Sequence, residues 1–321
     1  MYITQKEWLD TIRVEYLHDF IKRGGATVKF VVPMENIDHN QLLKLLRKTS
    51  EEEKYIFTSV DAVSTKIHMI DKLFHEVARQ IDWDELSHAF IKKLFTQNDY
   101  QLPEQHEDFN LQNIAEINNR EEMFLRKELR SWLEDKIFHD FEMSQEFRIA
   151  MIRLCLNQLD TAGPSVFLSN AVKEWLQGEL RLISTLKEAL IFQKIARHNA
   201  RHMLFSLAHW LRVNGKSGLV LVLDITRYLI STRSKNPDDG FFYSTPAVLD
   251  AYEVLRQFID GTDEMEGLLI VVLVSNDFLN DDKRGLSRYN ALKLRIWDEV
   301  RDRQRQNPLA SLVRLSNRGT D

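Results

Sequence analysis

The sequence predicts an α/β fold of three layers, with a parallel sheet between helices and a large helical insertion. Three observations lead to it. The run Gly218–Asp224 is continuously apolar up to its closing acid, and the run 267–275 up to its closing serine, which marks strands buried on both faces and hence a parallel sheet covered by helices. A third, β-branched run at 26–32 follows a helical pattern and precedes another, so strands and helices alternate. Residues 68–210, by contrast, carry helical patterning and few strand signals. The expected division is therefore an α/β core made of 1–67 and 211–321, with 68–210 as a mainly helical insertion.

Taken in chain order, residues 4–23 form the first predicted helix. Trp8, Ile12, Tyr16, Phe20 and Ile21 recur at helical spacing, and Thr4 with Glu7 makes a capping box. Gly24 and Gly25 stop it, because glycine enters left-handed angles at little cost. The strand 26–32 follows. Asp38 or Asn40 caps the next helix, which carries Leu42, Leu43, Leu45 and Leu46. A second strand is expected at 55–60. Within the helical stretch, breaks fall near 98–104, at Asn118-Asn119 and near 161–164. After the two buried strands, residues 309–315 make a last candidate strand.

The chain of 321 residues has 44% hydrophobic and 28% charged residues, enough to bury a substantial core. Its net charge of −5 argues against a generally basic nucleic-acid binder. Nine basic and four acidic residues fall between Arg284 and Asp321, so that end alone is suited to phosphate or an acidic partner, or is a solvated helix face. The single cysteine, Cys155, excludes an internal disulfide and suits the cytoplasm. No leader peptide is read, and no apolar run is long enough to cross a bilayer.

In a doubly wound sheet, ligands sit at the carboxyl ends of the strands. A P-loop ATPase uses two such ends. One strand enters G-x-x-x-x-G-K-S/T, whose backbone N–H groups, Lys and hydroxyl hold phosphates and Mg²⁺. Another ends in an acid that helps hold the metal. Here the connection 33–41, opening Pro33, Met34, Glu35, Asn36, has no Gly, Lys, Ser or Thr. Pro33 removes a donor. Glu35 and Asp38 bring negative charge, and one such charge ~4 Å from a phosphate costs about 1–4 kcal/mol. Asp224 ends its strand as a metal-holding acid does, but Ile225 follows where a water-activating Glu is expected. Asn276, after the third buried strand, suits a sensor role. The expectation is a nucleotide site without catalytic residues, with no cofactor; ATP and Mg²⁺ enter only if the atypical site still binds.

These segments resemble a known family. Gly24-Gly25-Ala26-Thr27-Val28-Lys29-Phe30-Val31-Val32 resembles the start of the ATP-binding proteins of BREX phage-defence systems, of the BrxC/BrxD type. Val60-Asp61-Ala62 resembles that family's second strand, and Trp175-Leu176-Gln177-Gly178-Glu179 its W-L-x-G-E. The stretch from Asn199 to Ala208, followed by Gly215 to Asp224, resembles its helix leading to G-x-x-G-L-hydrophobic-D-E. Tyr252 to Asp260 and Arg284 to Arg295 resemble its Y-x-x-L-R-Q-x-I-D and R-G-L-x-x-Y-x-A-L-x-x-R. The ordered matches run from about residue 7 to 315. The resemblance implies a P-loop, AAA+-like fold and a role in phage defence or DNA-linked machinery. Departures at 33–41 and Ile225 imply a pseudo-ATPase that acts as scaffold or regulator. It would pair with an active ATPase relative, a nuclease or another defence subunit, as a homo- or hetero-oligomer and with no membrane. The alternatives are an atypical active ATPase and a DNA-binding adaptor.

Other charges are candidate contacts to a neighbouring subunit's nucleotide or to a DNA backbone: Arg284, Arg288 and Arg295, more weakly Arg201, and Arg301, Arg303 and Arg305 for DNA. Exposed or locally paired side chains are the alternative. His198 and His202 share a helix face but lack a third ligand, so no metal site is read. Gly215-Lys216-Ser217 precedes its strand and reads as a turn. The six tryptophans sit at apolar positions and read as core or interface.

Overall fold

The computed structural model describes residues 2–34, 36–160, 164–229, 240–297 and 307–317. The chain forms two compact units, Met1–Val77 with Leu211–Asp321, and Ala78–Trp210.

The first unit is built on six parallel strands: β1 (Ile3–Thr4), β2 (Ala26–Pro33), β3 (Tyr55–Asp61), β4 (Gly218–Asp224), β5 (Leu268–Leu273) and β6 (Leu312–Ser316). Their order across the sheet is β1-β6-β2-β5-β4-β3. Every residue of β5, and all of β4 except Asp224, is buried, as continuous apolar runs require. In chain order the α-helices are α1 (Gln5–Thr11), α2 (His39–Glu52), α3 (Ile70–Arg79), α4 (Trp83–Gln97), α5 (Leu111–Ile117), α6 (Glu122–Leu133), α7 (Gln145–Asn157), α8 (Pro164–Gln177), α9 (Ala200–Val213), α10 (Thr245–Asp260), α11 (Asp277–Asn280) and α12 (Asn290–Ile296). The chain is thus mixed α/β with a parallel sheet.

The first helix departs from the expected regular pattern. Thr4 does cap it, accepting from the Glu7 amide at 3.1 Å, but α1 runs on into a wider, π-type winding over Ile12–Phe20. There the Ile21 amide donates to Tyr16 and the Gly25 amide to Phe20, each five residues back. The buried face explains this. Trp8, Ile12, Leu17 and Ile21 are all fully buried, and the five-residue step from Ile12 to Leu17 overshoots an α-turn. The wider turn keeps Leu17 on the core face and leaves Tyr16 at its edge and Phe20 exposed. Gly24, at φ +109°, then ends the helix.

A close approach fixes the start of β4. A Cβ on Gly218 would lie 2.0 Å from the Gly267 carbonyl oxygen, and φ there is +142°. The last strand begins later than the pattern indicated, because residues 308–311 form a turn and bend. The Leu309 carbonyl accepts instead from Lys29 Nζ at 2.6 Å. Lys29 is buried and its ammonium lies 4.3 Å from the Tyr16 ring centre. Burial pulls its pKa down to about 8. The segment Gly215-Lys216-Ser217 is a turn leading into β4, tied back by Ser217 Oγ donating to Glu53 at 2.7 Å.

The second unit is helical among its described residues. Phe90 and Trp210 pack at 4.7 Å, Trp83 meets Phe147, and Leu125, Leu129 and Leu133 form a buried stripe on α6. Trp8, Trp83, Trp175 and Trp210 are buried, whereas Trp132 and Trp297 are half-buried. No described helix is long and apolar enough to cross a membrane.

Candidate functional site

The strand order brings the carboxyl ends of β2, β5 and β4 side by side, with β3 next to β4. In register, Asp61 lies opposite Asp224. Two acids therefore end adjacent parallel strands on the edge where such sheets bind ligands.

The connection from β2 to α2 is folded onto β6. The Met34 amide donates to the Leu315 carbonyl at 3.0 Å, and the Ile37 amide closes a turn onto Met34 at 2.9 Å. Asn36 is pinned twice: its Nδ2 donates to Ser316 Oγ at 3.2 Å, and its carbonyl accepts from Asn317 Nδ2 at 2.6 Å. Pro33 has no amide proton. Glu35 lies outside the described residues. At the start of α2, the Asp38 carboxylate accepts from the Gln41 amide at 3.1 Å. A carboxylate thus serves the helix N-terminus, where the dipole and free N–H groups favour an anion.

His39, the first residue of α2, carries the main contact of the site. Its Nε2 lies 2.8 Å from Asp224 Oδ2, with the side chains 33% and 15% exposed. The contact is an ion-pair approach at close range that falls short of a well-aligned hydrogen bond. The other carboxylate oxygen, Oδ1, accepts from the Thr226 amide at 3.0 Å and the Thr226 hydroxyl at 2.7 Å. Both oxygens of Asp224 are engaged.

The titration behaviour follows from these contacts. His39 is raised above the ordinary imidazole value, first by its contact with Asp224; burial opposes this, and the fields of Asp61 and Asp38 add to it. For Asp224, burial alone would raise the carboxyl, but the bonds from His39 and Thr226 outweigh it and hold it below the usual range. Asp61 is raised, first by burial and also by the neighbouring Asp224, although the Val63 amide donates to it at 2.7 Å. The result is one imidazole, its charged form favoured, among three acidic side chains.

Ile225, directly after Asp224, is buried at 2% exposure and packs into the core. Asn276 is exposed just beyond β5, at the start of the four-residue α11, and its carbonyl accepts from Asn280. Of the arginines, Arg284 is buried; its guanidinium donates to the Tyr243 carbonyl and lies over Phe242. That side chain serves the packing of its own unit and does not project outward. Arg295 is bound to Asp260, with Nη2 to Oδ2 at 2.9 Å. Arg288 is exposed. Arg201, in the helical unit, lies 5.9 Å from the Phe205 ring centre. Arg301, Arg303 and Arg305 lie outside the described residues. His198 and His202 are exposed, and no described group of His, Cys, Asp or Glu has the arrangement of a metal site.

Sequence reasoning singled out Asp224 but missed His39, Thr226 and Asp61. The signal existed for His39: an imidazole at the first turn of the helix after the central strand faces the acid of a neighbouring strand end.

No curated protein and no solved structure matches the chain. Residues 17–320 match the family described as BREX system ATP-binding protein BrxC/D. The match spans both buried strands, the β2–α2 connection and the helical unit, and on it the chain belongs to the BrxC/D family of BREX-system ATP-binding proteins.

Proposed function

We propose that this chain is a pseudo-ATPase of a phage-defence complex, a P-loop, AAA+-like frame whose phosphate site is closed by its own side chains. The observation that carries the reading is the His39–Asp224 contact of 2.8 Å. In a working site, the acid ending this strand holds Mg²⁺ and the first turn of the helix supplies Lys and a hydroxyl. Here the His39 imidazole, its charged form favoured, stands in for both cations. The amides of Met34 and Ile37 are spent on protein carbonyls, and Asp38 answers the helix N-terminus. A triphosphate would have to displace these contacts and then face Asp38, Asp61 and Asp224.

On this reading the protein works by assembly, as scaffold or regulator beside an active ATPase relative, a nuclease or another defence subunit. Calorimetry with Mg-ATP is the test, and no saturable heat at millimolar nucleotide is expected. Micromolar binding, with turnover abolished by Asp224→Ala, would overturn it. That result would favour the atypical ATPase, for which the family's ATP-binding description and the retained Asp224 speak.

A further inference from the structure

The helical unit carries a basic face that the strand-end site does not involve. In a chain of net charge −5, no Asp or Glu occurs between Glu188 and Asp224. Lys194, Arg197, His198, Arg201 and His202 fall within that interval, on the turn that leads into α9 and on its first residues. Asn199 closes this turn from within. Its Oδ1 accepts from the Ala196 amide at 2.8 Å, and its Nδ2 donates to the Lys194 carbonyl at 3.2 Å. Ile195 and Ala200 are buried and anchor the turn. Lys194, Arg197, His198 and His202 are exposed, and Arg201 is half-buried.

These basic groups are not consumed by acids. None of the five side chains has a carboxylate partner among the described residues. Lys194 Nζ donates to the Arg181 carbonyl at 3.3 Å, which sets exposed Arg181 alongside. Glu179, the acid nearest Arg181 in the chain, lies 3.3 Å from Arg79 Nε. The buried Phe205 ring holds Arg201 and His202 side by side, the guanidinium 5.9 Å and the imidazole 6.1 Å from its centre. Phe192, two residues before Lys194, stands 62% exposed. Basic side chains that follow a phosphate backbone, with an open aromatic ring beside them for a base, are the two parts of a single-strand binding surface.

We propose that this face binds single-stranded nucleic acid. Lys194, Arg197 and Arg201 meet backbone phosphates, and Phe192 stacks on an unpaired base. An acidic peptide would answer the cations but leave the Phe192 ring without a flat partner. A duplex keeps its bases stacked on one another and offers that ring no open face. Binding weakens with salt, by roughly 0.7 in log K per log unit of salt for each phosphate met, and so by about 2 for these three. The proposal does not rest on the His39–Asp224 site and holds whether or not that site takes a nucleotide.

The test is fluorescence anisotropy of the full chain with a labelled oligothymidylate of ~20 nucleotides, its oligouridylate counterpart, and the oligothymidylate annealed to its complement, at about 50 mM salt. Saturable binding of a single strand is expected, with the duplex weaker, and the two single strands identify whether DNA or RNA is preferred. Lys194→Glu with Arg197→Glu, both at exposed positions, should weaken the single strand about tenfold or more. Phe192→Ala should weaken it about fivefold or more, and circular dichroism should be unchanged in both. Arg301→Glu, Arg303→Glu and Arg305→Glu together should leave this binding as it is. Three results overturn the proposal: no saturable single-strand binding, duplex bound at least as tightly, or a loss that follows the triple variant and spares the Lys194 and Arg197 pair. Displacement by polyglutamate as readily as by unlabelled oligothymidylate, with Phe192→Ala silent, also overturns it and assigns the face to an acidic protein.

Discussion

Replacing His39 by Gln removes the charge at the strand ends while keeping a polar side chain of similar reach. At 2.8 Å, the attraction between imidazolium and carboxylate is about 6 kcal/mol at an effective dielectric of about 20. Desolvation, and the third of the His39 side chain left in solvent, offset most of it. A net contribution of about 1 kcal/mol remains. The pH dependence gives this pair its signature. The folded state raises His39 above its ordinary value of 6.5, so it binds the proton more tightly than the unfolded chain. The stabilisation is complete below that ordinary value and is lost as pH rises through the folded one. Asp224 stays ionised throughout this range, since it is held below 3.8. Asp61, Asp38 and Arg227 also act on the site, but they remain in both proteins. Urea unfolding of wild type and His39→Gln should therefore differ by about 1 kcal/mol at mildly acidic pH and converge at alkaline pH. Histidine NMR reports the imidazole pKa directly. A difference in stability that is constant with pH, or an imidazole titrating below 6.5, would refute the reasoning.

Three further outcomes are expected. Trp8→Ala, at a side chain with no exposure, should cost about 3–5 kcal/mol in denaturant unfolding. Gly218→Ala should lower thermal stability by more than the ~1 kcal/mol of an ordinary Gly-to-Ala change, because its Cβ meets the Gly267 carbonyl at 2.0 Å. Lys29 loses its proton at about 8 when folded, against 10.5 for the free side chain. The unfolded chain thus binds more protons between these values, and stability should rise with pH there. Lys29→Met should flatten that rise in pH-dependent unfolding.

The strands β4 and β5 were legible because burial on both faces leaves little but branched aliphatic residues. Asp38 was legible as a cap because a short acceptor before a leucine-rich helix has few other uses. The winding at Ile12–Phe20 was not, since helical periodicity read over Trp8, Ile12 and Tyr16 is satisfied until Leu17 is seen to be the buried residue. Arg284 was misleading for a different reason. A guanidinium in a basic segment suggests exposure, yet its donors can be met by carbonyls such as that of Tyr243, which no pattern of side chains announces. His39 and Asp224 lie far apart in the chain, and only the strand order joins them.

The wide turn in the first helix carries one residue more than an α-turn holds. Deleting one residue between Ile12 and Leu17 should turn their five-residue step into the four of a regular helical turn, so that both keep the core face. Trp8 should then stay buried, and Ile3 and Thr4 should keep their register against Leu315 and Ser316. An added residue has no such outlet: it rotates what precedes it by about 100° and unfastens the sheet's outermost strand. The two variants should differ in Trp8 fluorescence, unchanged in the first and shifted toward solvent in the second.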